Sequence, residues 1–137
     1  MSDSVRAQQG LLDTSVVVDL ENVDPSLLPS EVAISSITLA ELAAGPNATK
    51  DPVERSRRQD RVQRVEAAFD PIAFGVEAAR AYGRVFAAVA HSGRKPRGAR
   101  AVDLLIASVA LAEGLPLYTR NPADFAHLDG LVDVITV

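Results

Sequence analysis

The sequence of 137 residues contains no cysteine, and aromatic residues make up only 4% of it. Without cysteine the chain can form neither a disulfide scaffold nor a thiolate metal site, which is compatible with a reducing compartment. Because aromatic side chains are so few, the core must be built from Ala, Val and Leu within a hydrophobic content of 47%. A chain of this length can bury one proper hydrophobic core, so we expect a single domain.

Long apolar runs are missing as well. The N-terminal segment MSDSVRAQQG has no apolar core of the kind a signal peptide needs. No run reaches the roughly 20 apolar residues of a membrane-spanning helix. We therefore expect a soluble, cytoplasmic protein with no membrane partner. Residues 1–10 are predicted to be a flexible tail and residues 11–137 the single domain.

The sequence also lacks the motifs of several enzyme classes. It has no GxSxG elbow, no GxxxxGK[ST] phosphate loop and no GxGxxG dinucleotide fingerprint. Its two histidines, His91 and His127, have no obvious triad partners in the sequence. These absences argue against an α/β-hydrolase, a P-loop nucleotidase and a dinucleotide-dependent enzyme.

The net charge is −4, which by itself argues against simple electrostatic binding of nucleic acid. The charge is unevenly spread, however, because residues 54–64 contain five arginines and residues 91–100 contain no acid. The basic residues of the second segment are Arg94, Lys95, Arg97 and Arg100. Such local patches can bind a phosphate backbone, although a solvated helix face and a basic loop would look the same.

Short apolar strands alternate with helical patterns along the chain. The predicted strands are a short run ending at Asp13 and residues 32–35, 71–74, 115–119 and 132–137. The predicted helices follow Asp13 and cover residues 37–45, 53–69, 75–90, 100–113 and 123–128, the first of these ranges being capped by Ser36 or Thr38. This alternation predicts an α/β sandwich with a mainly parallel sheet.

Four acidic residues fall where such a fold binds ligands, beyond the carboxyl ends of its strands. Asp13 ends the first strand, Asp103 opens the helix at 100–113, and Asp124 follows the strand at 115–119. Glu41 is the single charge in an otherwise apolar helical segment. Each has a purely structural interpretation, since the aspartates can cap or stabilise helix N-termini and Glu41 can lie on an exposed face. Their combination nevertheless indicates a shared site.

The position of Asp103 in its helix makes this hypothesis more specific. The helix at 100–113 is apolar on nearly every side, so it belongs in the interior, where an unpaired carboxylate is costly. The helix N-terminus, Arg100 or a metal ion could compensate that charge. Gathered carboxylates without cysteine favour a hard cation, Mg²⁺ or Mn²⁺, in a one-ion or two-ion site able to hydrolyse phosphodiesters. The side chains of Thr14, Ser15, Thr119 and Asn121 flank these acids and could position them.

Four blocks of the sequence resemble the PIN-domain proteins of the VapC toxin type. They are LLDTSVVVDL, ITLAEL, AVDLLIASVALAEGLPLYT and RNPADF, in that order within residues 11–137. The resemblance implies a three-layer α/β/α fold and a Mg²⁺- or Mn²⁺-dependent endoribonuclease that inhibits growth.

The resemblance also implies roles for residues. By motif position Asp13, Glu41 and Asp103 are the first three acids of the site, with Asp13 and Asp103 holding the main metal ion. The fourth acid of the family matches either Asn121 or Asp124, and Asp124 inherits that role here because Asn121 is an amide. Thr14 and Thr119 match hydroxyl positions that orient the site. RNA phosphates would be contacted by Arg94, Lys95, Arg97, Arg100 and Arg120.

Partners follow from the same resemblance. A VapB-type antitoxin is expected, with a tail that lies in a groove near residues 37–69 and reaches the acidic pocket with a basic residue. A homodimer within a larger toxin–antitoxin complex is also expected.

Two other functions compete with a ribonuclease toxin. A catalytically silent PIN fold could serve only to bind RNA or protein, but the retained acids argue against it. A receiver-like signalling domain would need a lysine near the end of a later strand. The only lysines, Lys50 and Lys95, fall in predicted loops.

Overall fold

Four short strands form a central sheet in the computed structural model, which describes residues 8–93 and 99–137. Strand β1 covers Gln9–Leu12, β2 Glu31–Ala33, β3 Leu117–Thr119 and β4 Val134–Thr136. The sheet order is β2-β1-β3-β4, and every neighbouring pair of these strands is parallel. The predicted mainly parallel sheet is thus confirmed and is parallel throughout the described residues.

Five α-helices within the described ranges surround the sheet. They are α1 (Thr14–Val18), α2 (Ser36–Ala44), α3 (Pro52–Ala68), α4 (Val76–His91) and α5 (Ala99–Glu113). Short 3₁₀ turns cover Leu20–Asn22, Pro25–Leu27, Gly45–Ala48 and Pro122–Phe125. No helix in the described ranges is long and apolar enough to cross a membrane.

The helices divide into two layers because side chains alternate along the strands. Leu11 and Leu117 are register partners in β1 and β3, and both pack into a core with α4 and α5. The next pair, Leu12 and Tyr118, packs on the other face with α1, α2 and α3. This arrangement is the predicted three-layer α/β/α fold.

Helix α5 is the buried helix that the sequence predicts. Leu104, Ile106 and Val109 are each at most 1% exposed, and the helix packs along α4. It ends at Gly114, whose φ of 66° is a left-handed conformation that glycine adopts at no steric cost. Asp103, in the second turn, is half-buried rather than fully enclosed.

Two predicted elements differ from the structure. The expected strand at 71–74 is only an isolated bridge between Ser35 and Ile72. Ile72 donates its N–H to Ile34 and accepts from Ser36, but the preceding Pro71 has no N–H with which to extend the pairing. The expected short helix at 123–128 is the 3₁₀ turn Pro122–Phe125, and the positive φ of His127 (73°) prevents a helical continuation.

Two boundaries also need correction. Helix α2 is capped by Ser35, whose Oγ accepts from the Thr38 N–H, and not by Ser36 or Thr38. The Ser36 hydroxyl is engaged elsewhere because it accepts from the backbone N–H of Phe74. Strand β1 begins at Gln9, so the last residues of the expected tail belong to the sheet.

The sheet order creates a crevice at one edge. From β1 the chain moves outward to β2 on one side and returns to β3 on the other. Because β1 and β3 are parallel, their carboxyl ends lie at the same edge of the sheet. From this edge the chain leaves β1 towards β2 on one side and leaves β3 towards β4 on the other. Ligands of open parallel sheets bind at such a switch point.

Candidate active site

Asp13 lies at this switch point, directly after β1, and is only 4% exposed. Its Oδ1 accepts from the backbone N–H of Val16 (3.2 Å) and from the Ser15 hydroxyl (2.6 Å). Its Oδ2 accepts from the Thr119 hydroxyl (2.6 Å), which comes from the end of β3. Asp13 therefore caps α1, as its structural interpretation predicted, and at the same time presents a carboxylate fixed by two hydroxyl groups.

Those two hydroxyl groups are themselves held by the segment after β3. The backbone N–H of Arg120 donates to Ser15 Oγ (3.1 Å), and the N–H of Asn121 donates to Thr119 Oγ1 (2.9 Å). Each hydroxyl thus accepts from the main chain and donates to Asp13, which fixes the direction of its proton. Asn121 contributes to the site through its backbone, while its side chain is exposed.

Glu41 reaches the same edge from α2. Its Oε1 accepts from the hydroxyl of Thr14, the first residue of α1, at 2.5 Å. The Thr14 hydroxyl also lies 3.1 Å from that of Thr38, which is completely buried. The second acid is therefore tied to the residue that follows the first acid.

Asp103 shows that the predicted acids lie close together. The pKa of its carboxyl group is raised from 3.8 to about 7, first by burial and then by the negative charges of Asp124, Glu41 and Asp13, in that order. Arg100 lowers it, but less than these effects raise it. The four acids predicted from the sequence thus form one negatively charged cluster, which a cation would stabilise.

The cluster fits a hydrated cation better than a closed protein cage. All its ligand atoms are carboxylate oxygens, which suit a hard divalent ion. Within residues 8–93 and 99–137, however, no three acidic or histidine side chains are grouped closely enough to ligate one ion together. Mg²⁺ commonly binds one or two carboxylates and keeps several waters, so these residues fit such an ion.

The predicted basic residues have different outcomes. Arg94, Lys95 and Arg97 lie outside the described residues. Arg100 is half-buried and close enough to Asp103 to affect its pKa. The Nε of Arg120 is 3.1 Å from Asp19 Oδ2, so its guanidinium is already in an ion pair at the end of α1.

A groove of about 510 Å³ runs between α1 and α3. Its apolar lining includes Val18 and Leu20, which are 43% and 36% exposed. Arg57, Arg61 and Arg64 of α3 line it too, and Glu21 is the one acid among the described residues that line it. Arg57 pairs with Glu54, whereas Arg61 and Arg64 form no ion pair with any described residue. This surface, the arginine groove, has the opposite charge to the carboxylate cluster.

Sequence reasoning missed two residues of the site region. The sequence predicts for Thr38 only a role as a helix cap, although the residue precedes Glu41 by three positions and so shares its helix face. Asp19 forms an ion pair with Arg120, and the sequence does not predict this pair because the two residues are distant along the chain.

Known proteins are similar to this chain in sequence. The sequence model of the PIN domain matches residues 10–131. Ribonuclease VapC5 from Mycobacterium tuberculosis is 38% identical over 128 residues, which are 91% of each chain.

Solved structures are similar as well. A chain in the crystal structure of VapBC-5 from Mycobacterium tuberculosis, a member of the VapBC family of toxin-antitoxin systems, superposes with a TM-score of 0.81 at 36% identity. The match covers 95% of this chain and 98% of that one. A chain of VapBC2 from Rickettsia felis, solved bound to a DNA fragment from the promoter, gives a TM-score of 0.76 at 26% identity and covers 94% and 98%.

Proposed function

This chain belongs to the PIN-domain family and, within it, to the VapC ribonucleases, and we propose that it is the endoribonuclease toxin of a type II toxin–antitoxin system. It hydrolyses phosphodiester bonds of RNA, inhibits growth and is neutralised by a VapB-type antitoxin. The observation that carries this proposal is the cluster of Asp13, Glu41, Asp103 and Asp124 at the switch point of the sheet.

The proposed cofactor is Mg²⁺ or Mn²⁺. Asp13 and Asp103 would hold it, supported by Glu41, Asp124 and Asn121. When bound, a divalent cation stabilises the negative charge that develops on the phosphate during hydrolysis. Without it, the cluster would repel the phosphate backbone of the substrate.

The protein's own contribution is to fix these carboxylates in place. Asp13 is held from both sides by Ser15 and Thr119, so its orientation does not depend on the cation. Asp103 is different, because its raised pKa leaves the carboxyl group largely protonated just below neutral pH. Binding of a cation would favour its ionised form, so we expect cation binding to release a proton.

RNA would approach over a basic rim. Arg94, Lys95, Arg97, Arg100 and Arg120 are the proposed phosphate contacts. Arg120 would have to share its guanidinium between Asp19 and the RNA. The proposed assembly is a homodimer within a larger toxin–antitoxin complex.

The test is RNA cleavage by Asp103→Ala and Asp13→Ala proteins with Mg²⁺ present. Each substitution should reduce cleavage at least about 100-fold. Removing a residue that only hydrogen-bonds to a metal ligand typically lowers metal affinity or activity 10- to 100-fold, and these two residues are themselves proposed ligands. Growth inhibition after expression without antitoxin should be lost in parallel.

Asp60→Ala, which removes an exposed acid of α3, is the matched control and should behave as wild type. Full cleavage by Asp103→Ala would contradict the metal assignment. A wild-type protein that binds RNA equally well with and without a chelator, and never cleaves it, would instead be a silent binding module.

A further inference from the structure

Thr38 is 0% exposed, and its hydroxyl faces the active site rather than the end of its helix. It lies in α2 one turn before Glu41, so the two side chains occupy one face of that helix. The hydroxyl of Thr14, from α1, lies between them at 3.1 Å from Thr38 Oγ1 and 2.5 Å from Glu41 Oε1. The three side chains form a continuous hydrogen-bonded chain, the threonine relay, from the core to the carboxylate cluster.

The protons of the relay can be assigned by counting donors. A hydroxyl group has one proton, and an ionised carboxylate can only accept. The Thr14 hydroxyl is the donor towards both neighbours, so its single proton is shared between Glu41 Oε1 and Thr38 Oγ1. The bond to the buried Thr38 oxygen holds the Thr14 side chain in the rotamer that reaches the acid.

The relay matters because its members differ in freedom of movement. Glu41 is exposed and has a long side chain, so it would sample many rotamers without a partner. Thr38 is β-branched and fully enclosed, so its hydroxyl has little freedom. The buried member thus restrains the exposed one through Thr14.

We infer that Thr38 is a positioning residue that holds Glu41 in the carboxylate cluster through Thr14 and thereby strengthens divalent-cation binding. The inference rests on the proposed function in one respect, that a divalent cation binds these carboxylates. Partners that orient metal ligands from behind typically change metal affinity or activity 10- to 100-fold when they are removed.

The experiment measures Mn²⁺ binding to the purified full-length chain by calorimetric titration, beside RNA cleavage as a function of Mg²⁺ concentration. Thr38→Val keeps the shape of the side chain and removes only the hydroxyl. It should raise the Kd for Mn²⁺ and the Mg²⁺ concentration for half-maximal cleavage by about tenfold. Saturating Mg²⁺ should recover much of the activity, since the ligands themselves remain.

Two further variants separate positioning from packing. Thr38→Ser restores the hydroxyl and should return the Kd for Mn²⁺ to near the wild-type value. Ser108→Ala removes another completely buried hydroxyl, one that donates to the Leu104 carbonyl inside α5, and should leave the Kd unchanged.

Wild-type Mn²⁺ affinity in Thr38→Val would overturn the inference. So would a Thr38→Ser protein that binds Mn²⁺ as weakly as Thr38→Val, because restoring the hydroxyl would then not restore the affinity for the cation. If circular dichroism shows that Thr38→Val does not fold, Thr38→Ala is compared with Thr38→Ser, a pair that differs only in the hydroxyl group, with the same expected and contradicting results.

The inference and the proposed function can fail separately. A wild-type protein that binds Mn²⁺ but cleaves no RNA would defeat the ribonuclease proposal, and the variants would still test the relay. Cleavage by a wild-type protein with an unchanged metal response in Thr38→Val would defeat the relay alone. A wild-type protein that binds no Mn²⁺ would defeat both.

Discussion

Asp103 carries an unusual charge state because it is half-buried among three other acids. Its pKa is raised from 3.8 to about 7, so between these values the folded protein binds a proton that the unfolded chain has already lost. Stability therefore falls as pH rises through this window, since the unfolded state binds fewer protons there. Above about pH 7, the folded state carries the full free-energy cost of the ionised Asp103 carboxylate.

We expect the metal-free protein to lose unfolding free energy between about pH 4 and pH 7, relative to Asp103→Asn. The amide cannot ionise, so the difference between the two proteins isolates this group. Chemical denaturation of both proteins across the pH range measures it. Identical pH profiles would contradict the raised pKa, and Mg²⁺ at about pH 8 should stabilise wild type more than Asp103→Asn.

At the residue scale, the acids were predictable, and so were the hydroxyl groups of Thr14, Ser15 and Thr119 that hold them, whereas Thr38 was not. Asp13, Glu41, Asp103 and Asp124 stand out because each is a charge at a strand end or within an apolar segment. Thr38 does not stand out, because a hydroxyl in a helix is common and its partner Thr14 is 24 residues away. Contacts across that separation arise only when α1 packs on α2.

At the element scale, β1 depends on a glycine that its sequence pattern does not explain. A Cβ at Gly10 would collide with the ring of Tyr118, whose Cδ1 would be only 2.8 Å away. Tyr118 is 3% exposed, so its ring cannot move into solvent. The absence of a side chain at Gly10 lets the ring cover the strand.

Gly10→Ala should therefore destabilise the protein by about 1–3 kcal/mol, the usual cost of overpacking a core. The matched control is Gly83→Ala within α4, where an added Cβ meets no atom within 4 Å. That change should stabilise the protein by about 0.5–1 kcal/mol, because alanine is the better helix former. Thermal or denaturant unfolding measures both. An equal effect of the two substitutions would contradict the packing argument.

The helices themselves follow closely from sequence patterns. Apolar spacing located α2 to α5, the capping residues after β1 located α1, and Gly114 ends α5 as predicted. The predicted elements are wrong where a single side chain or a single long-range contact determines the local structure. The isolated bridge at Ile72 formed with Ser35, a pairing that no local pattern encodes.

At the scale of the whole molecule, two surfaces of opposite charge lie on one small domain. The carboxylate cluster is acidic and the arginine groove is basic with an apolar lining. The family resemblance implies an antitoxin groove near residues 37–69, and we propose that the groove between α3 and α1 has this role. The contribution of Val17 and Val18 was missed because the contact between α1 and α3 is tertiary.

An antitoxin that covers both surfaces would need two kinds of segment, a basic one for the cluster and an apolar, acidic one for the arginine groove. We expect Arg61→Glu combined with Arg64→Glu to weaken binding of the cognate antitoxin at least about tenfold and to reduce its salt dependence. Titration calorimetry at two salt concentrations measures this.

Arg84→Glu, an exposed reversal on α4 outside the groove, should leave antitoxin affinity unchanged. Unchanged affinity in the double variant would remove the groove from the antitoxin interface. Weaker RNA binding without weaker antitoxin binding would assign the groove to the substrate.

The capping bond between Asp13 and Val16 bears on how a harmless form of this toxin should be produced. Asp13→Ala would silence the enzyme but also remove a helix cap, typically worth about 1 kcal/mol, and leave Ser15 and Thr119 without their acceptor. Asp103→Asn has no such side effect, since it removes a charge that the fold disfavours. For expression in cells, complex purification and antitoxin screening, Asp103→Asn is the better inactive surrogate.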